Sequence, residues 1–222
     1  MLECRGICKY YELGDRKITA LDKIDFKVND GEFVAVTGES GSGKSTLMNI
    51  LGCLDTPSGG EYFIDGNHIG KLNGGALSRV RGRKIGFVFQ NFSLVPTLTA
   101  YENIELPLIY RGFSLKKRRE IVNGVLNSVG MYERRDHLPN QLSGGQMQRI
   151  AVARAVSTGP SVILADEPTG NLDRKNSDEV MRLLKEFNRR GKSVVLVTHD
   201  MAVASEAQRI VKLSNGKIDY KI

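Results

Sequence analysis

The chain has 222 residues, of which 41% are hydrophobic, and a formal net charge of +7. This length and composition allow one globular domain with a substantial core, or a core with a smaller lobe. No apolar run reaches transmembrane length and the first residues lack a signal-peptide layout, so we expect a cytoplasmic protein that would meet a membrane only through a partner. The 3 cysteines form no Cys-x-x-Cys pair, which argues against a disulfide framework and against zinc.

Part of the positive charge lies in two runs, Arg79 to Lys84 and Lys116 to Arg119. Neither run is interleaved with stacking aromatic residues and the chain has no Trp, so we expect no nucleic-acid partner. A solvated helix face explains the second run equally well, and anionic lipid headgroups remain open as another use of the charge.

The first segment, from Leu2 to Val28, alternates apolar and polar residues, which predicts a half-exposed antiparallel sheet. Within it, Tyr10 or Tyr11 precedes a polar turn, and one of the two could stack on a purine base. Asp30-Gly31 then turns the chain into the apolar run Phe33 to Val36, which predicts a buried strand.

The stretch after this strand matches the phosphate-binding pattern G-x-x-x-x-G-K-[ST], and apolar residues at helical spacing follow it. Glycines let successive backbone N–H groups turn onto one anion, and Lys44 adds a mobile positive charge. No side chain caps the new helix, because a phosphate can fill that role. An ordinary glycine turn is the alternative, but the flanking strand and helix favour a phosphate site. The predicted ligand residues are Gly38, Glu39, Ser40, Gly41, Ser42, Gly43, Lys44, Ser45 and Thr46.

The middle of the chain changes from strand to helix periodicity. Glu61 to Ile64, closed by Asp65-Gly66, predicts a strand and hairpin, and Ile85 to Phe89 predicts a short strand that ends on Gln90. From 91 to 156 the pattern is largely helical.

Several signals place the helix ends in this helical region. Thr99 with Glu102 and Ser143 with Gln146 form capping boxes, and Pro107 should end or kink the first helix.

The last third contains two continuous apolar runs, Val162 to Ala165 and Val194 to Val197, which are typical of central parallel strands covered on both faces. A helix from Asp178 to Arg190, closed by Gly191, links them, and Asn215-Gly216 makes a final hairpin turn.

The predicted fold is therefore α/β. It has a P-loop NTPase core with a mixed, largely parallel sheet and an N-terminal antiparallel β subdomain (1–90 and 157–222), and an inserted α-helical subdomain (91–156), within one domain spanning 1–222.

Asp166 and Glu167 directly follow a buried strand, where ligands gather in parallel α/β sheets. We expect Mg²⁺ between Asp166, the Ser45 hydroxyl and the phosphates, which leaves Glu167 to orient and deprotonate the attacking water. The alternative is that the two acids cap the turn after the strand.

Two further side chains follow predicted strands. His199 can donate to a γ-phosphate, and Gln90 can contact Mg²⁺ or its water. A structural histidine and an ordinary loop glutamine are the alternatives.

Ser143, Gly144, Gly145 and Gln146 open another helix and form a second potential phosphate site. One nucleotide does not need two such cradles in one subunit. A two-fold dimer resolves this, because each segment would lie over the partner's glycine loop and two ATP molecules would be buried.

In this order, the glycine loop, Gln90, the Leu142 to Gln146 pentapeptide, Asp166-Glu167, Asp173 and His199 resemble an ABC transporter ATPase along the whole chain. Tyr11 matches the family's adenine-stacking aromatic residue, Asp173 its D-loop and His199 its switch histidine. Segments around Gly52, Phe87 and Gly170 resemble one branch of this family, whose ATPases serve lipoprotein release, macrolide efflux, antimicrobial-peptide resistance and cell division.

The resemblance implies a MgATP-hydrolysing subunit that dimerises around ATP and drives a membrane permease from the cytoplasmic face. The loop from Gln90 to Pro96 and the helical lobe would grip a coupling helix of the permease. A DNA-repair or chromosome-structure ATPase is a rival, but no heptad run for its coiled coil is present. A P-loop kinase or GTPase leaves the Leu142 to Gln146 pentapeptide unexplained.

Overall fold

The structure, a computed structural model, describes residues 1–14 and 16–219. Contacts within the chain define two compact units, one from residues 1–81 and 193–222 and the other from residues 82–192. Within the described ranges, no helix is long and apolar enough to cross a membrane. The helical subdomain at 91–156 stays a prediction.

The elements run in the following order. The strands are β1 (Leu2–Leu13), β2 (Arg16–Val28), β3 (Phe33–Thr37), β4 (Gly59–Ile64), β5 (Asn67–His68), β6 (Ile85–Phe89), β7 (Val162–Asp166), β8 (Ser193–Val197), β9 (Arg209–Ser214) and β10 (Lys217–Asp219). The helices are α1 (Lys44–Leu51), α2 (Gly74–Lys84), α3 (Ala100–Tyr110), α4 (Leu115–Ser128), α5 (Gly144–Ser157), α6 (Arg174–Arg189) and α7 (Met201–Ala204), with short 3₁₀ turns at Tyr132–Arg134 and Pro139–Gln141.

An antiparallel sheet in the order β2-β1-β4-β5 forms the first part of the first unit. Its period-two pattern has the expected outcome, since Ile24, Phe26 and Val28 of β2 are buried while the residues between them are exposed or half-buried. The predicted half-exposed antiparallel sheet is confirmed.

The same unit contains a parallel arrangement in which β3 lies between β8 and β9 and pairs with both. Every residue of β3 and β8 is buried, as expected for central strands. The Asn215-Gly216 turn then returns β10 antiparallel to β9.

The second unit is built on β6 and β7, which pair in parallel, and on α3 to α6. Helix α5 packs against α3, α4 and α6 and against β6. Both predicted capping boxes are present, at Thr99 with Glu102 and at Ser143 with Gln146.

Three elements differ from the sequence predictions. Helix α2 was not predicted, because none of its residues is buried and it has no apolar face to detect. Helix α6 begins at Arg174 instead of Asp178, because Asp173 caps it by accepting from the Asn176 N–H at 2.8 Å. Of the two outcomes predicted at Pro107, an end of the helix is wrong, because α3 continues to Tyr110 with Leu108 buried, and a kink stays a prediction.

Candidate nucleotide-binding site

The predicted phosphate-binding loop connects β3 to α1 as expected. Gly43 occupies the N-cap position of α1 with φ 104°, and no side chain caps the helix. The first turn also contains no acidic residue. The N–H groups at the start of α1 therefore need an acceptor, and an anion meets that need while also interacting favourably with the helix dipole.

Two positions of this loop require glycine, because backbone carbonyl groups from other segments lie too close for a side chain. A Cβ at Gly38 would lie 2.1 Å from the carbonyl oxygen of Leu213, and one at Gly43 would lie 2.5 Å from that of Ala20. The turn at Gly216 also donates its N–H to the Ser42 carbonyl at 3.0 Å. Neighbouring backbone thus encloses the loop from outside.

Two polar side chains of the loop bear on a phosphate ligand. The Lys44 ammonium donates to the carbonyl oxygens of Gly38 at 2.8 Å and of Glu39 at 2.7 Å, which places its positive charge over the loop. The Ser42 Oγ is buried and has no hydrogen-bond partner within residues 1–14 and 16–219. A concave backbone with an uncapped helix, an ammonium and an orphaned hydroxyl fits the triphosphate of a nucleotide.

His199 follows the buried end of β8 and is exposed. It lines a cavity of about 410 Å³ together with Gly38 and Glu39 of the loop. The first unit therefore brings the predicted γ-phosphate donor next to the glycine loop.

The predicted adenine-stacking residue, Tyr11, lies on β1 opposite Ile18 of β2. The residue is 39% exposed, so part of it is available to a ligand.

Gln90 and Glu167 leave adjacent strands of the second unit. Phe89 pairs with Asp166 in the parallel register of β6 and β7, so the next residue of each strand emerges at the same sheet edge. Glu167 has φ 44°, a conformation that non-glycine residues seldom adopt and that tends to occur at functional positions. Asp166 is half-buried, and both acids make interactions within the protein.

A hydrogen-bond network that the sequence analysis missed holds these two loops. The Gln148 amide on α5 donates to the Phe89 carbonyl at 3.2 Å and to the Pro168 carbonyl at 2.7 Å, so it bridges the residues that flank Gln90 and Glu167. The Asn171 amide also donates to the Gln90 carbonyl at 3.2 Å.

The loop after Gln90 is anchored to α5 as well. Arg154 donates to the Ser93 carbonyl at 2.6 Å and to the Phe92 carbonyl at 3.1 Å, and burial lowers the pKa of its guanidinium. Phe92 and Ser93 both have positive φ, with values of 57° and 50°. These contacts join residues about sixty positions apart, so no local pattern could have revealed them.

The Ser143 to Gln146 segment forms the N-terminus of α5 as predicted. The Ser143 Oγ accepts from the Gln146 N–H at 3.3 Å, which leaves its own proton for another acceptor. A Cβ at Gly145 would lie 1.9 Å from Oδ1 of Asn176, so only glycine fits this approach of α5 to α6. A Cβ added at Gly144 would make only ordinary van der Waals contacts, the nearest with the Leu172 side chain at 3.6 Å.

Asp173 lies at the start of α6, next to this helix N-terminus. Hydrogen bonds from the Asn176 backbone and then from its side chain lower the pKa of the Asp173 carboxyl. Asp173 thus caps α6, and its predicted D-loop role stays a prediction.

The family called ABC transporter matches residues 21–170, so the chain belongs to the ABC transporter family. The match includes the glycine loop, Gln90, the Leu142 to Gln146 pentapeptide and the Asp166-Glu167 pair. The predicted family is confirmed.

The curated relatives agree with this assignment. The macrolide export ATP-binding/permease protein MacB of Rhodopseudomonas palustris is 50% identical over 214 residues, which are 96% of this chain and 33% of that protein. The corresponding protein of Escherichia coli is 48% identical over 98% of this chain and 34% of its own length. The chain therefore spans about a third of the length of these relatives. An uncharacterized ABC transporter ATP-binding protein of Thermotoga maritima is 47% identical, with 99% of this chain and 94% of that protein covered.

Two solved structures extend the likeness to the fold. A dimeric bacterial ABC transporter cassette has a TM-score of 0.91 and 46% identity, covering 99% of this chain and 97% of its own. A dimeric ATP-binding cassette in a post-hydrolysis state, bound to ADP and Pi, also has a TM-score of 0.91, with 45% identity and the same coverage. The predicted fold class is confirmed.

Proposed function

We propose that this chain binds and hydrolyses ATP as the nucleotide-binding subunit of an ABC transporter. The observation that carries the proposal is the cradle at 38–46. It combines an uncapped helix N-terminus, glycines enclosed by neighbouring backbone and the Lys44 ammonium, all of which favour a bound anion. The enzymatic part is supported by a close structural relative whose solved state contains ADP and Pi.

Binding would use both ends of the nucleotide. The backbone of the loop and Lys44 hold the phosphates, while the exposed ring of Tyr11 stacks on the base. The oxygen donors Ser45, Gln90 and Asp166 would hold Mg²⁺, a cation that prefers such ligands and that would neutralise charge on the phosphates.

Hydrolysis would rest on the loops that Gln148 holds. Glu167 orients the attacking water and accepts its proton. Gln90 follows the end of the adjacent strand, where its side chain can contact the same water. His199, beside the glycine loop, donates to the γ-phosphate. The positive φ of Glu167 is a backbone conformation that tends to occur at functional positions, which supports a catalytic role for this residue.

A second copy of the chain would complete each site. The Ser143 hydroxyl retains a proton to donate, and the start of α5 retains N–H groups that the capping box does not satisfy. These donors would face the γ-phosphate held by the partner, with Asp173 at the same contact. Relatives whose solved structures are dimeric support this arrangement.

Coupling to transport would use a membrane permease. The loop from Gln90 to Pro96, anchored by Arg154, and the helical subdomain at 91–156 would form the groove for a coupling helix, with 1–90 and 157–222 as the core subdomain. The permease part of the MacB relatives' name supports such a partner, and the cassette would work at the cytoplasmic face of the membrane. The cargo would be an efflux substrate, or a lipoprotein or peptide.

The test of this function compares Lys44→Ala with the unmodified chain by calorimetry. The variant should lose tight ATP binding and hydrolysis together, because the triphosphate loses its principal mobile counter-charge. Lys71→Ala, which removes an exposed lysine of the same unit, is the matched control and should bind ATP normally. Unchanged ATP affinity in Lys44→Ala would argue against this site.

A further inference from the structure

The hydroxyl of Tyr11 is tied to a carboxylate from another part of the chain. It donates to Oδ2 of Asp55 at 3.1 Å. A ring used only as a flat surface for a base needs no hydroxyl, since phenylalanine stacks equally well. The hydrogen bond to Asp55 therefore fixes the position of the Tyr11 ring.

Asp55 is itself held in place by several groups. Its Oδ1 accepts from the Lys9 ammonium at 2.7 Å and from the Thr56 N–H at 2.7 Å, and its own N–H donates to the Asn49 carbonyl of α1 at 3.2 Å. Lys9 is pinned in turn by a second bond to the Thr56 carbonyl at 2.9 Å. The Lys9 side chain is only 12% exposed, so this ion pair is shielded from solvent more than a surface pair would be.

The protonation state of Asp55 suits this role. Burial is the largest influence and raises the pKa of its carboxyl, but hydrogen bonds from Lys9, Thr56 and Tyr11 together outweigh burial and hold the pKa below its usual range. The group is therefore ionised at neutral pH and accepts from both Lys9 and Tyr11.

The hydrogen-bonded group of Lys9, Asp55 and Tyr11 is called the clamp below. The position of Asp55 along the chain connects this clamp to the phosphate cradle. Helix α1 begins at Lys44, in the cradle, and Asp55 lies four residues after its last residue, Leu51. A helix is a rigid spacer, and the bond from Asp55 back to Asn49 ties the clamp to its last turns. The same element thus determines where the phosphates and the ring lie relative to each other.

The clamp also selects one face of the ring. The Lys9 ammonium lies 5.1 Å from the centroid of Tyr11 and covers one side. Ile18, directly opposite on β2, is 49% exposed and extends the apolar surface on this part of the hairpin. Tyr11 is 39% exposed, so part of the residue remains available for a planar heteroaromatic base.

We propose that Asp55, supported by Lys9, is a positioning residue for nucleotide binding, which locks the Tyr11 ring at a set distance from the phosphate cradle so that base and triphosphate are bound together. This inference rests on the function proposed above and adds to it the residue that orients the base-stacking ring.

The experiment measures dissociation constants for ATP and for inorganic tripolyphosphate by calorimetry on the full chain. Four variants are compared: Tyr11→Phe, Asp55→Asn, the double variant and Tyr10→Phe. Tyr11→Phe keeps a stacking ring and removes one exposed oxygen, so the fold is retained. Tyr10→Phe makes the same change at the neighbouring residue, whose ring contacts Lys17 instead.

Tyr11→Phe and Asp55→Asn should each weaken ATP binding by about threefold to tenfold, because a mobile ring recovers only part of the stacking free energy. The double variant should be no weaker than the poorer single variant, since both changes release the same ring. Tripolyphosphate affinity should be unchanged in all four variants, and Tyr10→Phe should bind ATP normally.

Several results would overturn the inference. One is ATP affinity in Tyr11→Phe and Asp55→Asn equal to that of the unmodified chain, and another is multiplicative losses in the double variant. Parallel loss of tripolyphosphate binding would show damage to α1 instead of a released ring. If the unmodified chain binds neither ligand, the proposed function fails and this inference with it, whereas normal ATP binding with unaffected variants overturns the inference alone.

Discussion

Replacing Gln148 by methionine tests whether helix α5 holds the loops that carry Gln90 and Glu167. Gln148 is fully buried, and its amide nitrogen bridges the carbonyls of Phe89 and Pro168. Methionine has a similar length and volume but cannot donate. The substitution therefore removes the bridge while keeping the packing of α5.

The expected loss of stability follows from the bonds involved. Each of the two hydrogen bonds contributes about 0.5–1.5 kcal/mol net. Part of that loss is returned, because the Gln148 Oε1 is buried without a hydrogen-bond partner in the described part of the chain and methionine removes it. We expect the free energy of unfolding to fall by about 1–2 kcal/mol.

The functional loss should exceed this change in stability. Pro168 directly follows Glu167, so a released loop misplaces the carboxylate that we propose as the base for the attacking water, and kcat should fall by roughly tenfold or more. ATP affinity should stay unchanged, because the phosphate cradle is built from other residues.

Urea unfolding and steady-state ATPase assays measure the two effects. The control is Asn127→Met, which removes an exposed amide on α4 that donates to the Asn123 carbonyl, and which should change stability by less than about 0.5 kcal/mol. A Gln148→Met variant with normal stability and normal kcat would refute the bridging role. Normal kcat with reduced stability would confine Gln148 to a structural role.

Three other substitutions or additions test the remaining parts of the proposed function. Glu167→Gln keeps the shape of the side chain but removes the base, so turnover should fall by about 10²–10⁴ while ATP binding survives. The ATP-bound dimer should then accumulate and be visible in gel filtration with MgATP. A monomer alone would count against the two-site dimer. Ser143→Arg should leave ATP affinity of the dilute monomer normal but abolish hydrolysis at high concentration; a loss of monomer affinity as large as that of Lys44→Ala would place Ser143 at its own subunit's nucleotide. Added DNA should not change ATPase activity at physiological salt, and a stimulation that disappears as salt rises would favour a repair-type ATPase.

Local patterns in the sequence were sufficient for most elements of the fold. The phosphate loop, the capping boxes at Thr99 and Ser143 and the hairpin at Asn215-Gly216 depend on residues within a few positions of one another. The central strands β3 and β8 were predictable because strands covered on both faces must be continuously apolar. Short-range chemistry and burial therefore encode these features directly.

Helix α2, which has no such signal, was missed, and the C-terminal end of α3 was not settled by local pattern. Helix α2 buries no residue, so periodicity carries no information about it. Helix α3 continues past Pro107, because the burial of Ile104 and Leu108 on its inner face outweighs the one backbone hydrogen bond that proline removes. Tertiary packing overrides local preference in this helix.

The sequence by itself predicted a phosphate site at the glycine loop, because the spacing of Gly38, Gly43 and Lys44 between a strand and a helix is typical of phosphate binding. Only the tertiary structure decided how those groups are held. Gln148 reaches the loops of Gln90 and Glu167, and Asp55 reaches Tyr11, through hydrogen bonds between residues that are far apart in the chain. Such partners are selected by the packing of whole helices and strands, and a pattern read along one segment carries no record of what the fold brings beside it.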